Sequence, residues 1–338
     1  MGNKGVLVKQ RIYTGVRIFA VFVAALSVLM VNTHPVNAVE SSANTLKVTP
    51  VRSDVEVRPG ESKTVEVIVE NTTSQEIRVK PIQNDFISGD ENGTPALILD
   101  EKEFAPTHSL KRFMGKLADF TVPAKGSATV EVTLNVPKDA QAGGYFGAVR
   151  FAPSTAADGG QVNLDASVAS LILLTVPGNL VESMNLTNFS IQQKGKSATF
   201  FTSPKDIEAS FRFENKGNVQ LAPFGKISVK KGNDVIYAKD FNQEAPRNVV
   251  LPDSARRWNV ALSNIGDFGY YTVSATLTYG TKNQTVEVTK SFWVIPWSLI
   301  IGVVVGLLAL IALIVGGRFF LKGYKRRIEN QNSGAFRR

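Results

Sequence analysis

The chain has 338 residues, with 38 Lys and Arg against 29 Asp and Glu, 43% hydrophobic residues, two histidines and no cysteine. This composition leaves room for two domains and excludes disulfides, thiol catalysis and cysteine-bearing zinc sites. The formal charge of +9 is not a phosphate-binding face, because four Lys/Arg lie in the first 38 residues and seven, with one Glu, follow Gly317, leaving 27 basic against 28 acidic residues between.

Residues 18–31, IFAVFVAALSVLMV, are an apolar run of 14 residues preceded by Lys4, Lys9, Arg11 and Arg17. A bilayer core of ~30 Å takes ~20 helical residues, so the run is too short to span comfortably. Val36-Asn37-Ala38 follows as a small-residue exit, and residues 1–38 read as a secretory signal peptide. The alternative is an uncleaved N-terminal anchor. An exported chain without cysteine points to a bacterial surface that has no dominant oxidation system. The five Asn-X-Ser/Thr sequons are then chance matches.

From residue 46 to 295 the texture is β. Residues 46–71 alternate Val with polar residues and break at Pro59-Gly60, the signal of half-buried strands. The phrase VEVIVENTTSQEIRVKP (residues 65–81) returns as ASFRFENKGNVQLAP (209–223), with Asn71 and Asn215 in matching places. Each copy goes on through a Pro turn bearing Ser127 or Ser254, an alternating strand, and a Gly-Tyr opening of another strand at Gly144-Tyr145 or Gly269-Tyr270. The repeat predicts an all-β fold of two immunoglobulin-like β-sandwiches, at 46–180 and 181–295, with Asn at a turn and Tyr at a strand corner.

The first copy is longer. Asn71 to Pro123 is 52 residues and Asn215 to Pro252 is 37. The surplus falls in residues 86–120, where Leu110, Phe113, Met114 and Leu117 have helical spacing. Two readings stay open. In one, Phe104, Phe113 and Met114 beside Lys111, Arg112 and Lys116 bind sugar rings and peptide carboxylates. In the other, the insertion is a hairpin and helix covering a sheet edge. GGQVNLDASVASLILLTVPGNL (159–180) predicts a long strand closing the first domain, its apolar core VASLILLTV buried on both faces or packed at the domain junction, with Pro177-Gly178 ending it. KGND (231–234) and GTKNQ (280–284) read as hairpin turns.

Residues 297–317 contain no charge, begin at Trp297 after Trp293, and are followed by Arg318, Lys322, Lys325, Arg326 and Arg327. Aromatics at one end and cations at the other predict a transmembrane helix with a basic cytoplasmic tail, 318–338, and the ectodomain outside.

Catalytic constellations are missing. His34 lies in the signal segment, and PTHSL around His108 lacks a nucleophile elbow. Asp85, Asp90 and Glu91 near Asn92-Gly93 lack EF-hand spacing and read as a solvated turn rather than a calcium site. Asp54 and Glu56 lie between Arg52 and Arg58 and read as a surface ion ladder. No phosphate cradle occurs. The chain therefore reads as a non-enzyme with no cofactor or metal and no nucleic-acid partner.

Residues 46–81 followed by VPAKGSATVEVTLNVPKDAQAGGYFGAVRF (122–151) resemble the N-terminal domain of the WxL-interacting protein family. That resemblance implies a membrane-anchored bacterial cell-surface protein, with a peptidoglycan-binding first domain and a partner-binding second one. Cell-wall peptidoglycan or surface proteins are the implied partners. The alternative function is an extracytoplasmic assembly chaperone or scaffold acting by β-strand pairing. The mature N-terminus is expected at Val39; N-terminal sequencing of the membrane fraction checks this, and a start at Met1 would refute it.

Overall fold

The computed structural model describes residues 45–154 and 167–335, so the signal-peptide expectation for 1–38 lies outside the described residues. The first sandwich contains β1 (Leu46–Thr49), β2 (Arg52–Glu56), β3 (Ser62–Asn71), β4 (Ile77–Ser88), β5 (Pro95–Leu97), β6 (Phe120–Val122), β7 (Ser127–Asn135), β8 (Gly143–Ser154) and β9 (Val168–Val176). One sheet has the order β1-β3-β7; the other runs β2-β9-β8-β4-β5, with β6 also on β4. In β3 and β7 the alternation is literal. Val65 pairs with Val132 and Val67 with Val130, all facing the core, while the residues between face out. A slip of one residue would turn every one of these valines to water, so the register is specified by burial.

The second sandwich contains β10 (Met184–Gln193), β11 (Lys196–Ser197), β12 (Phe200–Phe201), β13 (Ile207–Asn215), β14 (Phe224–Lys231), β15 (Asp234–Phe241), β16 (Ser254–Ala261), β17 (Gly269–Tyr279) and β18 (Gln284–Val294). Its sheets run β11-β10-β13-β16 and β12-β18-β17-β14-β15. Strands β1-β3-β7 and β10-β13-β16 are the same arrangement. Leu46 lies opposite Asn71 as Met184 lies opposite Asn215.

The repeated Glu-Asn phrase is where the middle strand of each smaller sheet ends. Asn71 and Asn215 are fully buried. The Asn71 amide donates to the carbonyls of Gln75 (2.6 Å), Val122 (3.2 Å) and Pro123 (3.1 Å), and its oxygen accepts from the N–H (2.9 Å) and hydroxyl (2.8 Å) of Thr73. Asn215 donates to Val219 (2.8 Å) and Val250 (2.9 Å) and accepts from the Gly217 N–H (2.9 Å). Each asparagine thus ties the strand end to its own turn and to the segment before the neighbouring strand. Neither has left-handed backbone; the hydrogen bonds are the reason for the residue type.

The tyrosine corners are present with a corrected register. Tyr145 donates to the Gln141 carbonyl at 2.8 Å. Its counterpart is Tyr271, whose hydroxyl accepts from the Gly266 N–H at 3.0 Å, whereas Tyr270 is exposed. The matching glycines are Gly143 and Gly269, both with φ +153°. A side chain at Gly143 would meet the Asn218 carbonyl at 2.8 Å, so this close approach requires glycine.

Strand β9 is apolar on both faces for two different reasons. Ile172, Leu174 and Val176 fill the first sandwich core. Leu173 and Leu171 face Phe86, Phe146, Val249 and Leu251, a cluster joining the two sandwiches. After β18, only Ile295 and Pro296 precede α1 (Trp297–Ala335). Residues Trp297–Gly323 of α1 are long and apolar enough to cross a membrane, by length and composition. The helix continues through the basic segment instead of stopping at Gly317, since Lys and Arg are good helix formers and no proline interrupts.

Replacing Asn71 or Asn215 by Ala leaves several buried carbonyl and N–H groups without a partner, each worth about 1–3 kcal/mol. Each variant is expected to lose about 2–4 kcal/mol in urea unfolding; a loss under about 0.5 kcal/mol would show that the clasp is incidental.

Candidate functional site

The insertion 86–120 separates the sequence-predicted binding residues into two groups. Phe113 and Met114 pack against the first sandwich core, with the Phe113 ring 4.7 Å from Tyr145. Phe104 is exposed, with the Lys111 ammonium 4.7 Å and the Arg112 guanidinium 5.1 Å from its ring centre. Lys111 also donates to the carbonyls of Glu101 and Glu103, both at 2.7 Å, so it braces the loop. Lys116 is exposed. The helical spacing yields a single 3-10 turn, Lys111–Phe113, because Asp85 organises this segment instead. Asp85 is fully buried and accepts from the Ala105 N–H (2.9 Å), the Ser109 hydroxyl (2.6 Å) and the Lys111 N–H (2.8 Å). His108 is used in the same bracing, its Nδ1 lying 2.6 Å from the Gly144 carbonyl.

The segment after the 3-10 turn covers an edge. The Gly115 N–H donates to the Thr133 carbonyl at 2.8 Å, and Met114 bridges to Leu134. Strand β7, which ends its sheet, is capped there by the insertion. The second sandwich has no such insertion before β16, the strand in the equivalent place.

What reaches β16 comes from the first sandwich. The tip of the β4–β5 hairpin carries Glu91, whose carboxylate accepts from Arg212 Nε at 2.7 Å and Arg257 Nη2 at 2.9 Å. The Glu91 carbonyl accepts from the Arg257 N–H at 2.5 Å. The Arg212 hydrogen bond is the largest influence and holds the Glu91 carboxyl below the ordinary Glu range; burial opposes it, and the hydrogen bond of Arg257 and the charges of both arginines add to the lowering. Asp90 shapes the tip by accepting from the N–H groups of Asn92 (2.9 Å) and Thr94 (3.0 Å). Gly93, at φ +88°, lies where an added Cβ would overlap the Arg256 guanidinium. Beside the tip, Phe86, Leu171 and Leu173 face Val249 and Leu251 around an inter-sandwich cavity of about 240 Å³ with Arg52 and Arg256 among its walls. Arg52 forms a two-bond pair with Asp54, 2.9 Å each, and also donates to the Arg247 carbonyl of the second sandwich.

Among the described residues, only the first part of the β16 edge is occupied in this way. In an antiparallel strand the N–H and C=O of one residue point the same way, and alternate residues share that direction. The Arg257 N–H goes to Glu91 and not to β13, so Ala255, Asn259 and Ala261 also present their main chain away from β13. The Ala261 carbonyl accepts from the Tyr237 hydroxyl at 3.1 Å. Between these two ties, Asn259 opens into a groove of about 670 Å³ bounded by Lys239–Pro246 on one side and Trp258–Ala261 on the other. Strand β15, across the groove, ends the opposite sheet, has a bulge against β14, and has its Ile236 carbonyl capped by Asn264 at 3.0 Å. Sequence reasoning did not find this site, since an open edge has no residue signature; the missing 15 residues of the second copy were its only trace.

No family model matches the chain, and no curated protein matches it. Solved structures that align include the class 5 fimbriae chaperone CfaA, at 13% identity and TM-score 0.36 over 73% of this chain and 98% of that one. The CsuC–CsuE chaperone–tip adhesion subunit complex of Acinetobacter baumannii aligns at 12% identity and TM-score 0.35, over 72% and 97%. The Pseudomonas aeruginosa CupB2 chaperone aligns at 10% and 0.32, over 73% and 99%. The resemblance to the WxL-interacting protein family is therefore corrected. No family model supports it, and these three solved structures are chaperones or a chaperone complex. The resemblance rested on strand and turn patterns, which unrelated sandwiches share because both solve the same burial problem.

The Glu91 clamp is pH-dependent with a definite sign. Because the folded-state value is depressed, its contribution is complete above the unfolded value of about 4.3 and is lost as pH falls through the folded value. Both sides of the pair are partly exposed, so Glu91→Gln is expected to cost only about 1 kcal/mol at pH 7. The difference in Tm between wild type and variant should begin to shrink near the unfolded value of about 4.3 and vanish only below the folded value; an undiminished difference at about pH 3 would refute the clamp.

Proposed function

We propose that this chain is a membrane-anchored, extracytoplasmic, non-catalytic scaffold or assembly chaperone that holds a partner protein by β-strand pairing at the Asn259 edge of β16. The observation that carries this reading is the edge itself. The first sandwich spends part of its insertion on capping β7, while β16 is paired by Glu91 at Arg257 and then opens into a groove. Exposed edges template pairing with another chain, and proteins that do not use them block them. Main-chain bonds would supply affinity there, and the groove would take alternate side chains of an extended segment. The chaperone structures above are too distant to add to this argument. The basic residues beyond Gly317 support a cytoplasmic tail with the sandwiches outside, by the positive-inside rule. No observation supports peptidoglycan as the ligand.

The test uses full-length protein in detergent and a fluorescent eight-residue peptide of alternating Val and Thr. Wild type and Asn259→Ala are expected to raise its anisotropy saturably, since the contact is through the main chain. Asn259→Pro, which removes the N–H at a position where an edge strand tolerates proline, is expected to abolish the rise with little change in Tm. Equal binding by Asn259→Pro would exclude this edge, and no binding by wild type would overturn strand pairing altogether.

A further inference from the structure

The five-stranded sheet ends, where the chain leaves it for α1, in a row of exposed aromatic side chains. Phe200 on β12 lies opposite Trp293 on β18, and Trp293 lies opposite Tyr270 on β17. Direct partners share one face of a sheet. Their sequence neighbours Phe292 and Tyr271 point into the core, so this is the outer face. The three are 43%, 44% and 47% exposed, and the Tyr270 and Trp293 rings are 5.0 Å apart. Phe268, just before β17, is 51% exposed.

The rest of that face is different. The next three rows of β17 and β18 are Thr272 opposite Ser291, Ser274 opposite Thr289, and Thr276 opposite Glu287. The first two pairs are joined through their hydroxyls at 3.0 and 3.2 Å. On β17 and β18 these three rows are polar, and the aromatic row is the last. That row is also rigidly placed. The Trp293 N–H donates to the Thr199 carbonyl and the Ile295 N–H to the Phe201 carbonyl, both at 2.9 Å, so pairing continues to the residue before Pro296. From Trp293 to Trp297, where the apolar stretch of α1 begins, is four residues, at most ~14 Å even fully extended.

We infer that Phe200, Trp293, Tyr270 and Phe268 form a membrane-interface contact, lying in the headgroup layer of the same bilayer that α1 enters and holding the second sandwich at a fixed tilt on its surface. Amphipathic rings are favoured in that layer, whereas a clustered aromatic row facing water is disfavoured. The inference rests on the reading of α1 as a membrane span, and its test separates the two. The chain has three tryptophans. Full-length protein with Trp258→Phe and Trp297→Phe reports on Trp293 alone; protein with Trp258→Phe and Trp293→Phe reports on Trp297 alone. Both are reconstituted in phosphatidylcholine vesicles with or without bromine at upper acyl positions. Loss of emission from both tryptophans in brominated vesicles is the expected result. Quenching of Trp297 without Trp293 would overturn the inference and leave the span standing. Quenching of neither would overturn both. Should Trp258→Phe fail to fold, Trp297→Phe alone gives the same answer, because half-buried Trp258 packs on Phe213 and Phe241 in the second sandwich.

Discussion

A chain that turns out of a sheet at its buried end must still satisfy the main-chain groups it exposes there, and in this protein one asparagine does so in each sandwich. Asn71 and Asn215 are fully buried, and every polar atom of each side chain is spent on the backbone of two separate segments. Leaving such groups unpaired costs about as much as several ordinary contacts provide. The position of the turn, the neighbouring strand and the segment before it are therefore set together. The repeated phrase records this constraint more than any common ligand.

The second constraint is what happens at the edges. In the first sandwich the chain adds residues, buries Asp85 to hold them, and lays Gly115 along β7. In the second, the hairpin tip of the first sandwich supplies one main-chain bond to β16, with Glu91 held between two arginines. The same hairpin thus joins the sandwiches and shortens an edge. Among the described residues, what remains open is a short stretch at Asn259 beside a groove of about 670 Å³, the edge on which the proposed strand pairing rests.

The membrane end completes the arrangement. On the outer face of β17 and β18, two hydroxyl pairs precede a last row that is aromatic. Only Ile295 and Pro296 stand between β18 and α1, so a bilayer crossed by α1 would lie close against the second sandwich. The β16 edge and the aromatic row belong to different sheets of the same sandwich, so under the two proposals a partner and the lipid would meet different faces of the domain.

By itself the sequence determined what depends on neighbours along the chain. Alternating valines placed β3 and β7, the apolar run placed β9, Gly- and Asn-bearing turns placed the β14–β15 and β17–β18 hairpins, and the charge-free stretch after Trp297 placed the apolar part of α1. Each of these follows from burial with a period, or from local turn chemistry. Tertiary structure decided the rest, because it depends on which distant groups meet. Asp85, Asp90 and Glu91 look like one acidic cluster in the sequence, yet they serve a buried brace, a local turn and an inter-sandwich clamp. Phe113 and Met114 look like a surface with Lys111 and Arg112, yet their apolar area belongs to the core. The spacing of Leu110, Phe113 and Met114 suggests a helix, but three hydrogen bonds to one buried carboxylate hold the segment otherwise. Whether an edge such as β16 is covered is a question about another part of the chain, and no local pattern contains the answer.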